Sequence, residues 1–327
     1  MPDYKGIQGT AVQNFAGDPA NPINGQVWYN SSTGQFKYHD IIPTGAWVTG
    51  GNLNTGRDAG AGSGTQTAAL GFGGTTNNGA SNTGVTESYN GTSWTTSPAT
   101  LGTARRLQAG AGTNTAALGF GGLTTVRVGN NESYNGTTWT ELGDLNTARS
   151  QLAGAGTNTA ALAFGGFVPP NTAVNESWNG STWTELGDLN TAREGLAGAG
   201  ATNTAALAFG GVTPAPAVTG ATESWNGTAW TELNDLNTAR AALGGCGTNT
   251  AALGFGGATL TIFLGNTETW NGTSWSEVND VPVVTRYYLA SVGTNAAALQ
   301  AGGAPGFTST NEWNAPYSAT EIITTTV

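Results

Sequence analysis

Six Gly-Gly doublets, each at the end of a short run of small residues, set the strongest limit on what this chain can fold into. They are Gly73-Gly74, Gly121-Gly122, Gly165-Gly166, Gly210-Gly211, Gly256-Gly257 and Gly302-Gly303. Successive doublets lie 48, 44, 45, 46 and 46 residues apart. In the first five copies a variable loop, an aromatic residue, an Asn-Gly step and a Trp follow; the sixth breaks off after Trp313. A unit of that length cannot cover its own apolar faces, so its neighbours must. The period predicts a propeller or an array, not two ordinary domains in 327 residues.

One copy shows how the unit is built. SQLAGAG (150–156) and TAALAFGG (159–166) are short runs of Ala, Leu and Gly on either side of Thr157-Asn158. Small side chains suit inner strands, where radially packed sheets crowd together. A helix is disfavoured, because each interior Gly costs about 1 kcal/mol there. After the loop comes NESWNGSTWTEL (175–186), whose Asn179-Gly180 step signals a hairpin with a type I′ turn. A two-residue or a four-residue turn puts Trp178 and Trp183 on one sheet face. Each hairpin thus offers an aromatic pair: Tyr89/Trp94, Tyr134/Trp139, Trp178/Trp183, Trp225/Trp230 and Trp270/Trp275. The chain holds 52 Gly, yet 11 regularly spaced Trp separate it from disordered Gly-rich sequences.

Taken together, these residues resemble the kelch repeat: Gly-Gly after a short strand, a spacer, Tyr or Trp, a Trp five residues on, and an Arg opening the next unit. The resemblance covers residues 45–314. It implies an all-β fold, a six-bladed kelch-like β-propeller with four-stranded antiparallel blades and a short N-terminal β segment. Residues 1–44 are then an attachment segment with a β-hairpin, and residues 45–327 the propeller. Two segments can complete the sixth blade. The strand at Trp47 is expected to do so, since AWVTGGNLNTGR parallels TWTELGDLNTAR; the alternative is the tail APYSATEIITTTV, with residues 26–50 as a separate meander.

The chemistry open to such a ring is narrow. His39 is the only histidine, so a His-based metal site or triad within the ring is excluded. The copper radical oxidases among kelch propellers need several His ligands, which this chain does not have. We expect no catalytic residues, no metal and no cofactor. The lone Cys246 cannot form an intrachain disulfide and takes the place of Ala155 in another copy, a buried small residue. Ten basic against 20 acidic residues give a net charge of -10, which disfavours nucleic acid and anionic membrane as partners. No stretch is apolar for long enough to insert in a membrane. Glu141/Asp144, Glu185/Asp188, Glu232/Asp235 and Glu277/Asp280 recur with the repeat and read as a solvated face. A Glu precedes each aromatic (Glu87, Glu132, Glu176, Glu223, Glu268, Glu312), and an Arg opens each copy (Arg57, Arg105, Arg149, Arg193, Arg240, Arg286). These rows are either a ring of charges at the axis or ion pairs tying the blades together; the repetition favours the second. The Asn-Gly-Thr/Ser triplets match glycosylation acceptors but are explained as turns.

Function belongs where the copies differ. The connections after each doublet vary in length, Pro content and apolarity: TTNNGASNTGVT (75–86), LTTVRVGNN (123–131), FVPPNTAVN (167–175), VTPAPAVTGAT (212–222) and ATLTIFLGNT (258–267). Loops on rigid scaffolds commonly carry binding. The candidate binding residues are Arg127, Phe167, Pro169, Pro170, Pro214, Pro216, Leu260, Ile262, Phe263 and Leu264.

The segment GDPANPINGQVWYNSSTGQFKYHD (17–40) resembles a short hairpin of tailed-phage appendage proteins, on Gly25, Gln26, Val27, Trp28, Tyr29 and Asn30 followed by Gly34, Phe36 and Tyr38. It implies a non-enzymatic virion surface protein, on a tail fibre, tail tip or capsid, that attaches to a host or contacts other subunits. The expected partners are other virion proteins or a host cell-surface glycan or protein, within an oligomeric assembly. The N-terminus MPDYKGIQGTAVQ shows no secretory signal pattern, so an exterior place is expected through particle assembly and host lysis. A secreted bacterial carbohydrate-binding or carbohydrate-acting propeller is the alternative.

Overall fold

A computed structural model describes residues 12–23, 25–42, 45–76, 81–215, 217–281, 290–304 and 307–322. Two compact units are present: Trp47–Asn314, and Met1–Ala46 together with Ala315–Val327. Every regular element among the described residues is a β-strand.

The larger unit holds six four-stranded antiparallel sheets, blades 1 to 6 in chain order. Blade 3 is representative, with strands Ala153–Gly156, Ala161–Phe164, Asn175–Trp178 and Trp183–Glu185 running from inside to outside. The inner strands are Ala61–Thr65, Ala109–Gly112, Ala153–Gly156, Ala197–Thr202, Gly244–Gly247 and Ala290–Gly293. Each lies against the next, and the sixth lies against the first, as in a propeller. Sequence order in the sheets is direct except in blade 6, where Ala46–Thr49 sits outside Thr310–Asn314. There Gly50 N–H donates to Thr310 O at 3.0 Å. Trp47 packs on Phe255 and Trp313 with centroids 5.0 and 5.6 Å away.

The core lies between blades. Phe120 of blade 2 meets Trp183 of blade 3 at 5.0 Å, together with Leu118, Leu145, Ala161, Ala163 and Trp178. The same arrangement joins Phe164 to Trp230 and Phe209 to Trp275. Trp178 and Trp183 stand directly opposite across the hairpin, at 5.5 Å. The turn between them differs from the type I′ expectation. It spans four residues, with Gly180 at a φ of 95° and no positive φ at Asn179. The Asn works through its side chain instead: Oδ1 accepts the N–H groups of Ser181 and Thr182, both at 2.9 Å. A short polar side chain that folds back onto its own turn explains the preference equally well.

The smaller unit is a four-stranded sheet of Gln13–Phe15, Val27–Asn30, Gln35–Ile42 and Tyr317–Ile322. Residues 315–322, which the sequence placed with the propeller, group with the N-terminal segment. The reason is a long antiparallel ladder, Lys37↔Ile322 to Ile42↔Tyr317. Trp28 is fully buried, and Asp18 accepts from its Nε1 (3.2 Å), from Asn30 Nδ2 (2.7 Å) and from Lys37 Nζ (2.8 Å).

Candidate binding face

The strand registers divide the propeller into two ends. Ala153 pairs with Phe164, so the Gly-Gly doublet, the variable loop and the incoming Arg share one end. The Thr-Asn turns and the Asn-Gly hairpins share the other. The loop end therefore carries nearly all the variation between copies.

At its centre an axial cavity of about 150 Å³ opens among Leu107, Gln108, Gln151, Leu196, Ala242 and Ser291. A second, of about 100 Å³, opens toward the turn end. Gly62, Gly110, Gly154, Gly198, Gly245 and Ser291 line both, so the tunnel narrows there. Crowding explains the glycines: a Cβ on Gly110 would stand 2.6 Å from Gly62 O. Ser291 departs from the pattern, and its hydroxyl bridges Gly245 N–H (3.2 Å) and Gly245 O (3.1 Å). Among the described residues no charged side chain lines either cavity. Among the described residues Cys246 is the sole titratable lining group, and burial pushes its thiol pKa far up, away from reactivity.

A collar surrounds the loop-side mouth. Ala59, Leu107, Gln151 and Ala242 take φ of 54°, 55°, 56° and 54°, and Gly195 fills the equivalent place at 59°. Their backbones form a relay between blades. Leu107 N donates to Ala59 O (2.8 Å), Gln151 N to Leu107 O (2.8 Å), Gly195 N to Gln151 O (2.9 Å) and Ala242 N to Gly195 O (2.7 Å). Nothing in the sequence announces this, because Ala, Leu and Gln do not favour the left-handed region.

The charge rows do not reach the axis. Arg57–Glu87, Arg105–Glu132, Arg149–Glu176, Arg193–Glu223 and Arg240–Glu268 are buried ion pairs. Glu176 also accepts Asn146 N–H at 2.7 Å, Asn146 Nδ2 at 2.9 Å and Thr147 N–H at 3.3 Å, while Arg149 Nη2 donates to Ala163 O at 2.9 Å. The pair thus pins the incoming connection onto the blade it enters. Burial lowers the pKa of Arg57, Arg149 and Arg193, and the facing carboxylates oppose that shift. The sixth Glu corrects the expected row. Ala298↔Trp313 and Gln300↔Asn311 align with Ala252↔Trp270 and Gly254↔Glu268. Asn311 therefore holds the Glu place, one residue before Glu312. Glu312 turns instead to blade 1 and accepts the Tyr89 hydroxyl, whose pKa rises to about 12 through burial and this bond. Arg286 lies outside the described residues.

The variable loops are compact hairpins. Leu123 pairs with Arg127, Phe167 with Asn171, Val212 with Val218 and Ala258 with Phe263. Several lean on the next blade. Arg127 stacks its guanidinium on Phe167, 4.2 Å from the ring centroid, and Asn171 Nδ2 donates to Val212 O at 2.7 Å. Arg127 and Phe167 are thus half-buried partners of each other, as Leu264 is half-buried. Pro169 and Pro170, joined by a cis peptide, and Pro214 are exposed. Leu260 (63%), Ile262 (58%) and Phe263 (46%) stand out on blade 5. Pro216 lies outside the described residues. Val126, 64% exposed, belongs to the same set and escaped the sequence reading, though it is the apolar tip of its loop. Glu194 also escaped it. It follows Arg193, accepts Gln151 Nε2 at 2.8 Å, and burial raises its carboxyl pKa against the pull of Arg127. The varying residue after each opening Arg was the available signal.

The fold is that of a multi-blade propeller also by comparison. The solved structure of YjhT, a kelch-type propeller, superposes with a TM-score of 0.66 over 82% of this chain and 99% of that one, at 13% identity. No protein-family model matches the sequence. No curated protein matches it either.

Proposed function

We propose that this protein is a non-enzymatic virion surface protein of a tailed phage that presents its loop end for host attachment or subunit contact. The observation that carries this reading is the contrast between blades built on one plan and loops that differ at one end. The frame is held by repeated buried ion pairs and aromatic contacts. The loops on it expose Val126, Leu260, Ile262 and Phe263. Leu260, Ile262 and Phe263, exposed on one loop of a rigid surface, are the kind of feature that marks an interaction site. The resemblance of residues 17–40 to phage appendage segments supports the virion location. Electron microscopy of the parent particle tests it. Density for the propeller on the tail or capsid is the expected result, and particles without the protein would refute it. Phe263→Ser with Phe167→Ser should weaken attachment or assembly; unchanged behaviour removes the loops from the interaction.

The alternative is a secreted carbohydrate-binding or carbohydrate-acting propeller. The axial mouth favours it, since its lining is neutral and Gln108 keeps a buried Oε1 without a hydrogen-bond partner. Glycan binding by the isolated protein decides between them. Affinity without turnover fits adhesion, and turnover would overthrow the non-enzymatic reading.

A further inference from the structure

Two features of the ring, as far as its described residues go, coincide on blades 2 to 5. The first is apolar. At the loop end, blade 2 presents Val126, blade 3 Pro169 and Pro170, blade 4 Pro214, and blade 5 Leu260, Ile262 and Phe263. Among the described loop residues of these blades Arg127 alone carries a charge, and it lies over Phe167. The second is electrostatic. Glu141/Asp144, Glu185/Asp188, Glu232/Asp235 and Glu277/Asp280 lie at and just beyond the outer strands of blades 2 to 5, and all eight are exposed. The matching strands of blades 1 and 6 carry no acid: Trp94–Thr100 reads WTTSPAT and Ala46–Thr49 reads AWVT.

The acids also sit beside the loops. The residue after each Asp bonds the descending arm of its own blade's loop: Leu145 N to Gly129 O (2.9 Å), Leu189 N to Ala173 O (3.0 Å), Leu236 N to Gly220 O (3.0 Å) and Val281 N to Gly265 O (3.0 Å). None of the eight carboxylates is in a salt bridge among the described residues. Glu185 and Asp188 lend some field to buried Arg149, and Glu232 and Asp235 to Arg193. Asn130 Nδ2 donates to Glu141 (2.8 Å), Thr222 N–H to Asp235 (3.3 Å) and Thr267 N–H to Asp280 (3.1 Å), yet all eight carboxylates stay exposed.

An apolar centre with a polar border is the plan of a protein interface. We infer that the loop end over blades 2 to 5 docks a protein surface with an apolar centre and a Lys/Arg border. The inference rests on the display reading above and names the chemistry of the partner. A second copy of this chain fits poorly, because it would set one acidic border against another. An anionic membrane fits poorly for the same reason.

The free protein can be tested with an amphipathic Leu/Lys peptide, using Leu/Glu and Gln/Lys peptides of equal length as controls. Fluorescence anisotropy should show the Leu/Lys peptide binding about tenfold or more tightly than either control. Binding should weaken as salt rises from about 50 mM to about 500 mM. Leu260→Ser/Ile262→Ser/Phe263→Ser should weaken it, and so should Glu185→Gln/Asp188→Asn/Glu232→Gln/Asp235→Asn, each about fivefold or more. These sites are exposed, and matched melting curves identify any variant that has not folded. Equal affinity for the three peptides, or insensitivity to both sets of substitutions, overturns the inference. So does self-association in analytical ultracentrifugation that the Ser variant abolishes. Binding that depends on both sets of residues, combined with absence from the virion, would refute the phage location alone.

Discussion

Arg149 and Glu176 show how one pair of residues holds a blade in place. The carboxylate draws Asn146 and Thr147 onto the blade, and the guanidinium reaches the Ala163 carbonyl. Both side chains are fully buried, so removing one charge strands the other. Glu176→Gln should cost about 3 kcal/mol or more, read as a lowered midpoint in urea unfolding. Glu194 behaves in the opposite sense. Burial raises its pKa, so the folded chain holds that proton more tightly than the unfolded chain does. Its contribution is fully present below the ordinary value of 4.5 and is lost as pH rises through the higher folded value. Glu194→Gln should therefore melt above the parent near neutral pH, and the difference should close on acidification below 4.5.

At the scale of strands and turns, the collar is the feature with most stored strain. Four non-glycine residues occupy the left-handed region in one belt. Ala242→Gly should stabilise the protein by about 0.5–1 kcal/mol by relieving that strain, and Gly195→Ala should destabilise it by about 1 kcal/mol. Thermal unfolding of the two variants checks both signs. A Cβ on Gly195 has room, its nearest neighbour being Ala242 N at 3.4 Å, so the effect isolates backbone strain. The hairpins were legible because Trp178 and Trp183 keep the same face for either turn length. The collar was not, since its conformation comes from the interblade hydrogen bonds and not from any residue's own preference. Glu312 misled for a related reason. Counting from the aromatic in sequence ignores the ladder, and the ladder fixes Asn311 opposite Gln300. The loops' variability was plain in the sequence, but the stacking of Arg127 on Phe167 needed the packing of two blades to appear.

At the scale of the whole ring, blade 6 is unlike the rest. It combines strands from distant parts of the chain, and Asn311 with Gln300 replaces the carboxylate of the other five. Its outer strand relies on Trp47, whose Nε1 donates to Thr267 Oγ1 at 3.0 Å. Hydrogen exchange should accordingly be faster in peptides covering 46–57 and 290–314 than in those covering 109–164. Uniform protection around the ring would show that the missing carboxylate does not matter. The chain enters the wheel at Ala46–Thr49 and leaves it at Thr310–Asn314, side by side in one sheet. A carrier protein thus needs only two adjacent attachment points to hold the whole rotor. Such a cassette can be spliced into a surface turn of an unrelated scaffold without altering the path of the host chain.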